Sequence, residues 1–127
     1  MTQTLLLADG SVRMVLGTPG GSTIFTSVFQ TLVNRLDFGM SAKEAVSASR
    51  FHHQLLPPTL IVYSRCCALG DAATLEGLKA LGWDVKASPW EFGDMQVIDV
   101  DAQGRTTAAS DPRGRGVARV IELPARH

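Results

Sequence analysis

Cysteine is scarce in this 127-residue chain: Cys66 and Cys67 are the only two, and they are adjacent. A vicinal disulfide is strained and closes no useful loop, which excludes a disulfide scaffold. An excess of either charge is lacking too. Lys plus Arg number 12, Asp plus Glu number 12, and the formal net charge is +0. That balance removes any global electrostatic case for nucleic acid or an anionic membrane as a partner. No apolar run approaches the roughly 20 residues of a membrane span. Met1-Thr2-Gln3-Thr4 has neither the basic nor the long apolar segment of a signal peptide, so no export signal is expected. What remains is the composition of an ordinary globular chain, 45% hydrophobic and 19% charged. The length suits one domain, since a typical domain holds roughly 100–150 residues.

The first local pattern is a hairpin. Thr4-Leu5-Leu6-Leu7 is followed by Asp9-Gly10, a favoured pair where a turn needs positive φ. Val12, Met14 and Leu16 then alternate with Arg13 and Val15, which predicts strands over about 4–8 and 11–17. Beyond Gly17-Thr18-Pro19-Gly20-Gly21-Ser22, the residues Phe25, Val28, Phe29, Leu32 and Leu36 recur at helical spacing. They predict a long buried helix over about 23–38, with Phe29 facing the core. Ser22 or Thr23 suits its N-cap, and Gly39 supplies a stop. Ser41-Ala42-Lys43-Glu44 has capping-box spacing and predicts a helix over about 42–48.

Pro57-Pro58 bars any helix from continuing through Arg50–Leu56. Leu60-Ile61-Val62-Tyr63 reads as a strand. Asp71 caps a third helix with Ala72, Leu75, Leu78 and Leu81 on one face and Gly82 at its end. Trp83–Lys86, Gln96–Val100 and Arg105–Ala109 read as further strands. The Gly, Arg and Pro after Asp111 predict a tail. The order β-β-α-α-β-α-β-β-β argues for an α+β layer rather than regular βαβ units.

Strand, glycine turn and long helix form the arrangement richest in chemistry. Gly20 and Gly21 have no side chains, so their amides can approach a ligand closely. A helix start adds unpaired N–H groups and the positive end of a dipole. Such a turn can hold a phosphate, a carboxylate or the oxyanion of an acyl-transfer intermediate. The plain alternative is a tight strand-to-helix connection that needs positive φ.

Three segments bear a family likeness. Gly17-Thr18-Pro19-Gly20-Gly21-Ser22 resembles the G-[ST]-P-G-G-S motif of the γ-glutamyltranspeptidases (glutathione hydrolases). Arg50-Phe51-His52-His53-Gln54 with Leu56-Pro57 resembles their R-[FI]-H-H-Q-W-L-P segment. Ser110-Asp111-Pro112-Arg113-Gly114 resembles their [AS]-D-P-R motif. The three are collinear and reach from about Leu5 to Val117, in the family's order and spacing. The resemblance implies the C-terminal portion of an N-terminal-nucleophile hydrolase, an α+β fold with an antiparallel sheet in an αββα sandwich. It implies γ-glutamyl transfer from a glutathione-like substrate to water or an amino acid, through an N-terminal threonine whose own amine is the base. By the motif, Gly20 and Gly21 supply the oxyanion amides, and Ser22 joins them in substrate binding.

The family's T-T-H start, its carboxylate-binding serine pair and its large-subunit arginine have no match in this chain. The chain alone is therefore expected to be inactive, with the remaining subunit segments or a second copy of itself as partner. Thr2, freed by removal of Met1, has nucleophile chemistry but the wrong position, so Thr2→Ala is expected to be silent. A competing class is a non-catalytic module that binds an anion or oligomerises. Cephalosporin acylases and capsule-anchoring transpeptidases resemble the family too, which leaves the acyl group open. Family members are usually periplasmic, extracellular or at the cell surface.

No cofactor is implied. His52-His53 lacks a third ligand at metal spacing, and structural roles are expected for the pair. Asp94 and Asp99–Asp101 lack the spacing of a calcium loop. Arg50 suits an internal ion pair whose partner the sequence does not reveal. Arg113, Arg115 and Arg119 have no interleaved aromatics, which argues for solvated residues with Arg113 in a structural contact. Residues 1–117 are expected to form the domain and 118–127 the tail.

Overall fold

The computed structural model describes residues 2–64 and 69–121. Cys66-Cys67, His127 and most of the expected tail lie outside the described residues. Among the described residues, seven strands and three α-helices follow one another as β1 (Thr2–Ala8), β2 (Ser11–Thr18), α1 (Ile24–Leu36), α2 (Ala42–Ser47), β3 (Phe51–His53), β4 (Leu60–Tyr63), α3 (Ala72–Ala80), β5 (Asp84–Ala87), β6 (Gln96–Val100) and β7 (Thr106–Ser110). The first sheet has the order β1-β2-β6-β7 and is antiparallel throughout. The second has the order β3-β4-β5. There β3 and β4 are antiparallel, while β4 and β5 run parallel. The α+β class stands, with α3 as the crossover of a single βαβ unit. β3 is an element that sequence periodicity did not separate, because three residues are too few to show alternation.

Register explains where the core lies. Thr4, Leu16, Val97 and Ala109 line up across the four strands of the first sheet. Their neighbours Leu5, Val15, Ile98 and Ala108 form the adjacent row. Successive strand residues point to opposite faces, so the two rows belong to opposite sides of the sheet. The first side packs under α1 and α2, where Met14, Leu16, Val97, Met95, Val28 and Val46 form the core. Each such side chain contributes about 1.5–3 kcal/mol by leaving water. On the other side Leu5 is 61% and Ile98 45% exposed.

α1 presents a different face to the core from the one expected. Ser27, Val28 and Thr31 are its buried residues, with Ile24 and Leu32 packed beside them. Phe29 is 64% exposed, and Phe25 and Leu36 also face outward. The apolar pattern of α1 is wide enough to wrap more than one face. Small Ser27 and Thr31 let the helix sit close to the sheet, and that fixes the rotation with Phe29 turned out.

The start of α1 differs as well. Gly21–Thr23 is a 3-10 turn, and neither it nor α1 has a side-chain cap. The Thr23 hydroxyl instead donates to the Gly20 carbonyl at 2.9 Å. At the other end Phe38 N donates to Val33 O at 3.2 Å and Met40 N to Asn34 O at 3.0 Å, around Gly39. The expected capping box is present on α2: the Ser41 hydroxyl accepts from Glu44 N, and the Glu44 carboxylate accepts from Ser41 N. Asp71 caps α3 through Thr74 N at 2.8 Å. α3 buries no residue, however, and Leu81 beyond it is 77% exposed.

Candidate functional site

β2 ends in buried Gly17 and Thr18, and the chain then leaves the sheet through Pro19, Gly20, Gly21 and Ser22, all exposed. The Thr18 hydroxyl donates to Pro19 O at 2.7 Å and fixes this exit. Gly20 has φ 144 and Gly21 φ 57, both in the region that L side chains rarely adopt. A Cβ on Gly20 would sit 2.6 Å from Thr23 Oγ1, whereas one on Gly21 would meet nothing within 4 Å. Gly20 is thus fixed by both conformation and space, and Gly21 by conformation alone. Among the described residues, no backbone hydrogen bond engages the amide of either glycine. The two face different depressions. Gly20 lines a cleft of about 220 Å³ with Pro19, Thr23, Trp90 and Phe92. Gly21 lines a groove with Thr4, Ile24, Phe25 and Val28. Ser22 lies in the 3-10 turn between them and the helix.

A buried charge cluster lies beside the cleft, with Arg113 in its wall. Arg50 and Asp111 form an ion pair with side chains 1% and 0% exposed. Arg113 meets the same carboxylate side-on, with Nε 2.7 Å from Oδ1 and Nη2 3.0 Å from Oδ2. Both guanidiniums also donate to carbonyls at the end of α2: Arg50 to Val46 O at 2.6 Å, and Arg113 to Ala48 O at 3.1 Å. Cations at a helix C-terminus satisfy its unpaired carbonyls and oppose its dipole. Arg50 reaches further, to the carbonyl of Gly93, and so ties down the segment that walls the Gly20 cleft. Burial raises the Asp111 pKa most, but the Arg113 hydrogen bonds and the Arg50 charge together hold it below the ordinary aspartate value. The segment after Asp111 therefore begins as docked structure rather than as a tail, because its first arginine is buried against α2. The partner that sequence could not supply for Arg50 is Asp111.

His52 braces α1 against the second sheet, and His53 packs among the loops at that sheet's end. His52 Nδ1 is 2.9 Å from the Thr26 hydroxyl, and Nε2 is 2.6 Å from Gln54 Oε1. Its ring stands edge-on to Phe25. His53 Nε2 meets Pro58 O at 2.9 Å, and its ring is edge-on to Trp83. Sequence reasoning missed Gln30, whose side chain mimics a strand: Nε2 donates to Phe51 O at 2.7 Å, and Oε1 accepts from Phe51 N at 3.1 Å. It also missed Trp90, because an isolated tryptophan between Pro89 and Glu91 carries no periodic signal. Asp99, weighed for calcium, pairs with Arg35 at 2.8 Å, and Asp101 pairs with Arg105 at 2.6 Å.

Comparison with known proteins gives consistent matches. The family model described as Gamma-glutamyltranspeptidase matches residues 1–121. The glutathione hydrolase proenzyme of Pseudomonas aeruginosa is 47% identical over 122 residues, 96% of this chain and 22% of that relative. The glutathione hydrolase proenzyme of Escherichia coli K12 is 42% identical over 113 residues, 89% of this chain and 19% of that relative. The chain thus spans about a fifth of the length of these curated relatives. Among solved structures, the gamma-glutamyltranspeptidase of Pseudomonas nitroreducens complexed with L-DON superposes with a TM-score of 0.88 at 45% identity, covering 96% of this chain and 62% of that one. The Bacillus anthracis transpeptidase CapD shares the fold, with a TM-score of 0.77 at 22% identity.

Proposed function

The chain belongs to the gamma-glutamyltranspeptidase family, and we propose that it is the C-terminal part of a γ-glutamyl-transferring enzyme's small subunit, to which it contributes the oxyanion turn. Its fold is the C-terminal portion of an N-terminal-nucleophile hydrolase. The observation that carries the reading is the exposed pair Gly20-Gly21, whose amides have no backbone acceptor among the described residues. When a nucleophile adds to a γ-glutamyl carbonyl, the oxygen gains negative charge. Amides already fixed in position stabilise that charge without reorganising, and one such donor is worth about 10²–10³ in turnover. The Arg50–Asp111–Arg113 cluster does no chemistry in this scheme. It holds the wall of the Gly20 cleft and the end of α2.

The nucleophile and the groups that read the glutamyl α-carboxylate come from segments beyond the three matching motifs. Those segments, or a second copy of the chain, cover the outer row Leu5–Val15–Ile98–Ala108, in which Leu5 and Ile98 are exposed. The acyl donor is a γ-glutamyl compound such as glutathione, and the acceptor is water or an amino acid.

Two measurements on the purified chain test the reading. A chromogenic γ-glutamyl anilide is expected to show no turnover, and Thr2→Ala is expected to change nothing. In a ¹⁵N-labelled sample, the amide signals of Gly20 and Gly21 are expected to move on titration with a γ-glutamyl dipeptide. Robust turnover by the chain alone overturns the assignment as a part. Glycine signals that stay fixed overturn the oxyanion role and leave the plain strand-to-helix turn.

A further inference from the structure

Paired glycines let the turn reach its positive φ values, and they also leave its peptide planes weakly restrained. Flipping the Gly20–Gly21 peptide changes ψ of Gly20 and φ of Gly21, and no Cβ resists either rotation. Such a flip reverses the direction of the amide. Stabilising an oxyanion without reorganisation requires amides that stay where they are aimed. The restraint must therefore come from outside the two glycines.

Two threonine hydroxyls are placed to supply it. A peptide unit is planar, and in its trans form the N–H points opposite to the C=O that precedes it. The peptides that enter Gly20 and Gly21 are both trans. Holding the Pro19 carbonyl therefore aims the Gly20 amide, and holding the Gly20 carbonyl aims the Gly21 amide. The Thr18 hydroxyl donates to Pro19 O at 2.7 Å. The Thr23 hydroxyl donates to Gly20 O at 2.9 Å, and the Thr23 N–H shares that oxygen at 3.1 Å. Thr18 is fully buried at the end of β2, so its hydroxyl works from a rigid base. Thr23 is secured in turn. Its carbonyl accepts from the Thr26 hydroxyl at 3.1 Å, and that hydroxyl lies 2.9 Å from His52 Nδ1.

We propose that Thr18 and Thr23 are positioning residues of the oxyanion turn, each aiming one glycine amide by gripping the carbonyl behind it. Their role rests on the one proposed for Gly20 and Gly21. Both act through the backbone alone. The division of labour is specific: Thr18 serves the Gly20 amide and Thr23 the Gly21 amide. A hydroxyl that merely stabilised the fold would not sort its effects in that way.

The experiment uses the full chain, labelled with ¹⁵N, and γ-glutamylglycine as the probe. Residual dipolar couplings in a weakly aligned sample report the direction of each N–H bond. In the wild type, those of Gly20 and Gly21 are expected to fit N–H bonds antiparallel to the two held carbonyls. Thr18→Val and Thr23→Val each remove one hydroxyl, and Thr18→Ser and Thr23→Ser keep it. Circular dichroism verifies the fold of each variant, and Thr18→Ala replaces Thr18→Val if the valine does not fold. A neutral hydrogen bond shifts an equilibrium by roughly two- to tenfold. Thr18→Val is expected to change the Gly20 coupling, spare that of Gly21 and weaken probe binding by that factor. Thr23→Val is expected to do the converse, with a smaller loss because the Thr23 N–H keeps its hold on the same carbonyl. The serine variants are expected to restore wild-type values. Wild-type couplings that do not fit these directions overturn the proposal. So do couplings unchanged in the valine variants, equal disturbance of both glycines by either valine, or serines that fail to restore; in these cases the oxyanion reading stands. Glycine signals that ignore the probe in the wild type overturn the proposal together with the reading beneath it.

Discussion

Removing the negative charge of Asp111 leaves the guanidiniums of Arg50 and Arg113 facing each other in a buried space. Breaking one side of such a pair costs about 3–5 kcal/mol, because the remaining charge has no solvent to turn to. Asp111→Asn is therefore expected to lower stability by that amount in urea denaturation, far more than a surface change. The pH dependence follows from the direction of the shift. The folded pKa is depressed, so the stabilisation is fully present above the ordinary unfolded value of about 3.9 and is lost as pH falls below it toward the folded value. The urea midpoint of the wild type is expected to fall steeply below about pH 4, and that of Asp111→Asn to fall less. Equal slopes for the two proteins would show that the carboxylate is not what the acid titrates. Sequence gave the identity of both motifs, Arg50-Phe51-His52-His53 and Ser110-Asp111-Pro112-Arg113, but not their meeting. Contact between residues that far apart in the chain is a tertiary fact with no local signature.

α1 was legible as a helix and misread as to which face is buried. Apolar side chains at 24, 25, 28, 29, 32, 33 and 36 fit more than one orientation, and the choice between them lies with Ser27 and Thr31, both fully buried. Pattern reading counts hydrophobic residues and discounts small hydroxyl residues, although these pack well under a sheet. The correction reverses an expected cost. Phe29→Ala is now expected to change the stability of the chain by about 0.5 kcal/mol or less, as at other exposed sites. Met14→Ala, at a core position 1% exposed, is expected to cost about 2–5 kcal/mol. Thermal melts of both variants decide the matter, and a large loss at Phe29 would restore the original orientation. The capped helices α2 and α3 were the easier cases, because Ser41 with Glu44 and Asp71 with Thr74 are local signals that tertiary packing did not override. The glycine turn was legible too, but not the 3-10 turn inserted before α1, nor the separate depressions that Gly20 and Gly21 face.

One side of the first sheet is roofed by α1 and α2. The other exposes Leu5, Leu7, Val12 and Ile98, with β1 at its margin. An open apolar sheet with a free edge strand is a template for further pairing. Light scattering on the purified chain is expected to report a dimer or larger assembly whose mass rises with concentration. Replacing both Leu5 and Ile98 by Lys is expected to shift it toward monomer. A wild-type monomer at high concentration would mean that the exposed row is tolerated in water.

The first sheet is also assembled from the two ends of the chain. β1 and β2 come early and β6 and β7 late, with the entire β3-β4-β5 unit between them. On the ribosome, Met14 and Leu16 emerge long before Val97 and Ala109 exist to meet them. The nascent polypeptide must carry an unfinished hairpin while the whole β3-β4-β5 unit is made, the situation in which long-range pairing is slow and sticky intermediates accumulate. Its yield in a cell should therefore depend on chaperones that hold the hairpin until its partner strands arrive.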